Sequence, residues 1–100
     1  MASDKATVEL IAQQMAWAGR ISIKPFFEDY IIECNGRQIA FFCNNRLFVN
    51  FSHEAMQYIG DFVFKSPYSG AKPCLVISKE QWTNGPWFDD LIRITLDKAT

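Results

Sequence analysis

Two dipeptides near the middle of the chain constrain its fold more than any other feature. Asn35-Gly36 separates the β-rich runs Tyr30 to Cys34 and Arg37 to Cys43, and Asn44-Asn45 separates Cys43 from the run Arg46 to Phe51. Asn-Gly accepts the positive φ that both central residues of a type I′ turn require, and the twist of that turn matches the strands it joins. Asparagine tolerates the left-handed conformation better than most non-glycine residues, so Asn44-Asn45 reads as a second hairpin. Two-residue turns cannot make parallel crossovers, and the middle of the chain is therefore an antiparallel meander.

The flanking segments extend this frame. Ile21 to Phe27 alternates up to Pro25, and proline lacks the donor a central strand must supply, so an edge strand or a bulged strand is expected there. Cys74 to Ile77 is a short continuous apolar run suited to a buried strand, and Lys65 to Lys72, with Ser66, Pro67, Ser69 and Gly70, reads as a loop.

Helical spacing of Val8, Ile11, Ala12, Met15 and Ala18 predicts a helix from about Asp4 to Ala18, with Ser3 or Asp4 as N-cap and Gly19 as its stop. Ser52 is placed to cap a second helix ending near Ile59 at Gly60, with Phe51 and Met56 at the positions of a hydrophobic staple. Ser78 to Gln81 fits a capping box between Ile77 and Trp82. Asn84-Gly85 interrupts that short helix. Pro86, suited to a first helical position, opens a terminal helix whose inner face is Phe88, Leu91, Ile92 and Thr95.

The order α-β-β-β(-β)-α-β-α predicts an α+β fold of two layers, an antiparallel sheet of about five strands with helices on one face, in one domain over residues 1–100. Strands apolar on both sides, such as Ile39 to Cys43, imply that part of the second face is also covered, by a loop, a helix or another subunit. The composition, 49% apolar and 15% aromatic, supplies the bulk for such a core without a disulfide or metal staple.

The same residues argue against several function classes. Ten basic and eleven acidic residues nearly cancel, with no like-charge run longer than two. Direct nucleic-acid binding is therefore disfavoured unless folding gathers Lys24, Arg37 and Arg46 into one stripe. The N-terminus lacks the pattern of a signal peptide, and no apolar run approaches the roughly 18–20 residues that span a bilayer, so a cytoplasmic protein with no membrane partner is expected. Cys34, Cys43 and Cys74 form no CxxC pair and read as free thiols buried in strands. His53 is the only histidine, expected exposed in the first turn of the second helix, and no nucleophile-elbow pattern surrounds it. Glu28-Asp29 and Asp89-Asp90 lack the oxygen-rich spacing of a cation loop, and the five glycines are too far apart for a phosphate loop. The expectation is no catalytic, cofactor-binding or metal-binding residue.

Ile23 to Ile32, with Gln38 to Phe42 and Arg46 to Val49, resembles the N-terminal domain of the TfoX (Sxy) family of bacterial competence regulators. Tyr68, Gly70, Cys74 to Ile77, Ser78 to Trp82 and Leu91 to Thr95 follow in the order of that domain, so the resemblance covers about Gln14 to Ala99. In the family a basic residue precedes Phe-Gly-Gly-Tyr. Here Lys24, Phe27 and Tyr30 match, and Glu28 and Asp29 stand where the glycines would permit positive φ or close backbone approach. The resemblance implies a secretion-chaperone-like α+β fold and a role in activating competence genes beside a DNA-bound activator of the CRP type, without the second, C-terminal helical domain that full-length members usually carry. The function expected is a non-catalytic regulatory protein-interaction module. Its partner would be a transcription activator or a second copy in a homodimer, and the candidate partner-binding residues are Lys24, Phe27, Glu28, Asp29 and Tyr30. The alternative is a small ligand-binding domain or enzyme with a pocket near Glu28, Asp29 and Tyr30, with His53 beside it.

Overall fold

The computed structural model describes residues 3–99, with side chains through residue 97. Its frame is set by the two turns: Asn35 and Gly36 have φ of 53° and 85°, Asn44 and Asn45 of 52° and 58°. These positive values turn β2 (Asp29–Cys34) into β3 (Arg37–Cys43), and β3 into β4 (Arg46–Val49). β1 (Ile21–Phe26) pairs only with β2 and forms one edge of the sheet, so the missing donor of Pro25 breaks no internal ladder.

The sheet has six strands in the order β1-β2-β3-β4-β6-β5, every neighbour antiparallel. The expectation of about five is one short, because β5 (Val63–Lys65) pairs with β6 (Cys74–Ile77) across the loop 66–73. Three residues carry too little periodicity to read locally. Since β4 and β5 both run antiparallel to β6, they are parallel to each other, and such strands need a crossover of a dozen or more residues. α2 (His53–Ile59) is that crossover, capped by Ser52, whose Oγ accepts from Ala55 N–H at 3.1 Å, and stopped at Gly60 with φ of 79°.

α1 (Lys5–Gln14) begins at Asp4, whose carboxylate accepts from Thr7 N–H at 3.1 Å. It is shorter than its apolar spacing predicts and tightens into a 3₁₀ turn over Ala16–Ala18 before Gly19. α3 (Lys79–Thr83) carries the capping box between Ser78 and Gln81, and α4 (Gly85–Ala99) follows, with Pro86 its second residue and not its first. Phe88 N–H donates to Asn84 O, so Asn84 acts as the cap, and proline at either position removes a donor the helix does not use.

All four helices contribute buried side chains to one face of the sheet: Val8 and Ile11 from α1, Ala55 from α2, Trp82 from α3, and Phe88, Leu91 and Ile92 from α4, against Ile32, Phe42, Leu47, Val49 and Leu75. A bulge in β3 adds to this face. Ile32 pairs with Ala40 and Glu33 with Gln38, leaving Ile39 as the extra residue, and both Ile39 and Ala40 join the helix-side core. The other face holds a second cluster, Phe41, Cys43, Phe48 and Cys74, flanked by Ile31 and Val76. The loop 66–73 closes over it, with Pro67 buried and the Tyr68 ring 5.6 Å from Phe41. A loop, one of the covers expected for this face, packs on it.

On the outside of the helix layer, Trp17 Nε1 donates to Asp89 at 2.8 Å, and the Arg93 guanidinium lies 4.8 Å from the Trp17 ring while pairing with Asp90 at 2.6 Å. Asp89 and Asp90 thus tie the 3₁₀ turn to α4. No helix of the described residues is long and apolar enough to cross a membrane.

Phe88 is fully buried where α4 meets the sheet. Phe88→Ala is expected to lower the unfolding free energy by about 3–5 kcal/mol, read from the urea midpoint at unchanged slope.

Candidate functional site

The tip of the β1–β2 hairpin joins features that secondary structure alone does not require. Phe26 pairs with Asp29, leaving Phe27 and Glu28 as a two-residue turn. Phe27 has φ of 57°, at the turn position where glycine is favoured because a bulky L residue crowds its own backbone there. Neither Glu28 nor Asp29 has positive φ. The Phe27 ring is 91% exposed and meets Phe26 edge-on at 4.9 Å; Phe26 in turn lies 5.0 Å from Tyr68. An aromatic row therefore runs from the solvent-facing tip to the covered centre of the open sheet face.

The tip is anchored from below. Ser3 N–H donates to the Glu28 carbonyl at 3.1 Å, and Ser3 Oγ donates to Asp29 Oδ1 at 2.7 Å while accepting from Asn45 N–H at 3.2 Å. Asp29 also accepts from Asn44 N–H at 3.1 Å, and Asn45 Oδ1 accepts from Asp4 N–H at 2.6 Å. Asp29 is the centre of a clasp joining the start of the chain, the β1–β2 turn and the β3–β4 turn. Its carboxylate holds the fold at this point and also borders the cleft beside α1.

Between α1 and this hairpin lies an open cleft of about 530 Å³, with Ile23, Pro25 and Tyr30 along its apolar wall and Lys5, Glu9 and Glu28 at its polar rim. Phe27, Glu28, Asp29 and Tyr30 are thus brought together. Lys24 is separated from them. Its partner across the ladder is Ile31, on the opposite face of the sheet from the cleft wall, and its ammonium pairs with Glu33 at 3.2 Å. Arg37 and Arg46 stand near opposite ends of β3, roughly 20 Å apart at the rise of a strand. The basic stripe that nucleic-acid binding would need does not form from Lys24, Arg37 and Arg46. His53 is exposed at the start of α2, its ring 5.3 Å from Phe51, and it does not line the cleft.

The three cysteines are free and buried. Burial, reinforced by the Asp29 carboxylate and Cys74, pushes the Cys43 thiol up from 9.0 to about 11, and burial also raises Cys74. Both are protonated near neutrality and are poor nucleophiles. Among the described residues no group of three or more His, Cys, Asp or Glu side chains is placed to hold a metal ion. The tip and cleft together offer an apolar surface with a charged rim.

The raised Cys43 value fixes a pH dependence. The unfolded chain releases this proton near 9.0 and the folded chain only near 11, so in that window the unfolded state binds fewer protons and stability falls as pH rises. The loss approaches about 2–3 kcal/mol. Urea midpoints measured from neutral pH to pH 11 should show it, and Cys43→Ala should flatten that part of the slope.

No family model matches the chain, and no curated protein matches it.

Proposed function

We propose that the protein is a non-catalytic interaction module whose contact surface is the tip of the β1–β2 hairpin, centred on Phe27. The observation that carries this reading is the conjunction of positive φ and exposure at one bulky residue. Positive φ costs an L residue roughly 1–2 kcal/mol, and an almost fully exposed ring recovers little of that by burial. A locally unfavourable side chain held out to solvent is accounted for by a partner that covers it.

The resemblance to TfoX N-terminal domains supplies the partner class. A DNA-bound activator of the CRP type would receive the Phe27 ring, with Glu28 beside it as a charged neighbour, and the module would act in regulating competence genes without touching DNA itself. Lys24, already paired on the far side of the sheet, contributes less than the sequence pattern implies.

Phe27→Gly separates binding from folding. It relieves the backbone cost, so stability should stay level or rise by up to about 1 kcal/mol. Wild-type and Phe27→Gly baits would be compared in a quantitative pull-down from bacterial lysate, followed by titration with the purified activator. Saturable binding by the wild type, weakened at least about tenfold in the variant, is the expected result. Equal binding by both would remove the hairpin tip as the contact, and no activator binding by the wild type would sink the regulatory reading.

The cleft favours a second reading, a small-ligand site, because its volume of about 530 Å³ falls in the range of ligand pockets. A ligand held there would raise the melting temperature of the wild type in a metabolite screen, and Tyr30→Ala would abolish the shift. A flat screen would leave the cleft as a groove between α1 and the hairpin.

A further inference from the structure

The strands carry more positive charge than their own acids balance. Only β2 contains acids, Asp29 and Glu33, and both are engaged: Glu33 pairs with Lys24, and Asp29 accepts from Ser3 Oγ and Asn44 N–H. Arg46, at the start of β4, and Lys65, at the end of β5, are exposed, and among the described residues neither has an ion pair.

Both cations belong to the face of the sheet away from the helices. Arg46 alternates with Phe48, and Lys65 stands opposite Cys74, and both Phe48 and Cys74 are members of the cluster on that face. β6 lies between their two strands. Ser66 and Pro67, where the loop 66–73 leaves β5, add a further wall, and Asn44 adds its amide from the β3–β4 turn. The result is a pocket of about 250 Å³ lined by these residues: Asn44, Arg46, Phe48, Lys65, Ser66 and Pro67.

Two cations line this pocket and no acid does. Asp29, the acid bonded to Asn44 N–H, borders the cleft beside α1 instead. A concave site of one sign with a buried ring in its wall concentrates its field on whatever enters, and the charge that complements it is negative. Arginine presents a planar fork that matches two oxygens of a phosphate, and lysine adds a compact point charge. Two cations suit a doubly charged oxyanion better than a single carboxylate. The volume lies just below the range of sites for drug-sized ligands, which fits a phosphate group on a small body.

We propose that this pocket binds the phosphate group of a small phosphorylated molecule, with Arg46 holding two of its oxygens, Lys65 neutralising its second charge and the Asn44 amide donating from the turn. The pocket shares no residue with the hairpin tip or the cleft beside α1, so the proposal does not rest on the function proposed above.

Isothermal titration calorimetry of the full chain with pyrophosphate and with inorganic phosphate tests this, at an ionic strength held constant with sodium chloride. Wild type should bind pyrophosphate saturably, and Arg46→Gln and Lys65→Gln should each raise Kd at least about tenfold. Both side chains are exposed, so without the anion both variants should keep the wild-type circular dichroism spectrum and melting temperature. Lys79→Gln removes an exposed cation outside the pocket and should bind as wild type does, as should Phe27→Gly. Absence of saturable binding by the wild type would overturn the proposal, and so would undiminished binding by either pocket variant. Equal weakening by Lys79→Gln would show a response to net charge in place of a site. Tighter binding of a single-stranded DNA oligonucleotide than of pyrophosphate would refute the small-molecule assignment.

Discussion

Strand β3 is buried over its last five residues, Ile39 to Cys43, on both faces, and the rest of the molecule is arranged around covering it. A strand with polar groups on one side needs only a single helical layer, whereas one with Phe41 and Phe42 on opposite sides needs two covers. The helices supply one, centred on Phe42 and Phe88. The second is made from the loop 66–73, which returns over Phe41 through Pro67 and Tyr68. That loop is held in shape by its own bonds, Ser66 Oγ to Ala71 O at 2.9 Å and Ala71 N–H to Tyr68 O at 3.1 Å. Its presence also explains why β5 lies outside β6: the chain must reach the edge before it can fold back across the open face.

What was legible in the sequence was whatever local chemistry decides. The turns at Asn35-Gly36 and Asn44-Asn45, the caps at Asp4, Ser52 and Ser78, and the inner face of α4 depend on a few adjacent residues. The structure places each of them as expected. β5 was not legible, because Val63 to Lys65 becomes a strand only by pairing with residues beyond the loop. The truncation of α1 has the same origin. Met15 and Ala18 keep helical spacing, yet Gly19 must approach Asn35 so closely that a Cβ there would lie 2.7 Å from the Asn35 amide, and the chain tightens before it arrives.

The candidate site was half legible for a related reason. Sequence grouped Lys24 with Phe27, Glu28, Asp29 and Tyr30 because they are adjacent, but strand alternation sends Lys24 to the other face of the sheet. It also concealed what Asp29 does. No local pattern announces that its carboxylate accepts from Ser3 and Asn44, residues at distant points in the chain. Charged residues at a hairpin tip look like a recognition surface, and one of them is a structural anchor that fixes the tip. Asp29 holds the turn in place from one side, and Phe27 keeps a positive φ beside it.

The two edges of the sheet differ in how they meet the hazard of unpaired backbone. β1 ends the sheet with Pro25, which offers no donor, and with the Lys24–Glu33 ion pair beside it, so an incoming strand finds a broken ladder and a charge. β5 carries no proline and meets the same hazard by being short: it offers three residues, Val63–Lys65, one of them a lysine, and the chain bends away before it, with the N–H groups of Asp61 and Phe62 donating to the carbonyls of Ile59 and Gly60. A strand that ends after three residues with a lysine gives an incoming chain little ladder to extend, so the two edges reach one end by different local means.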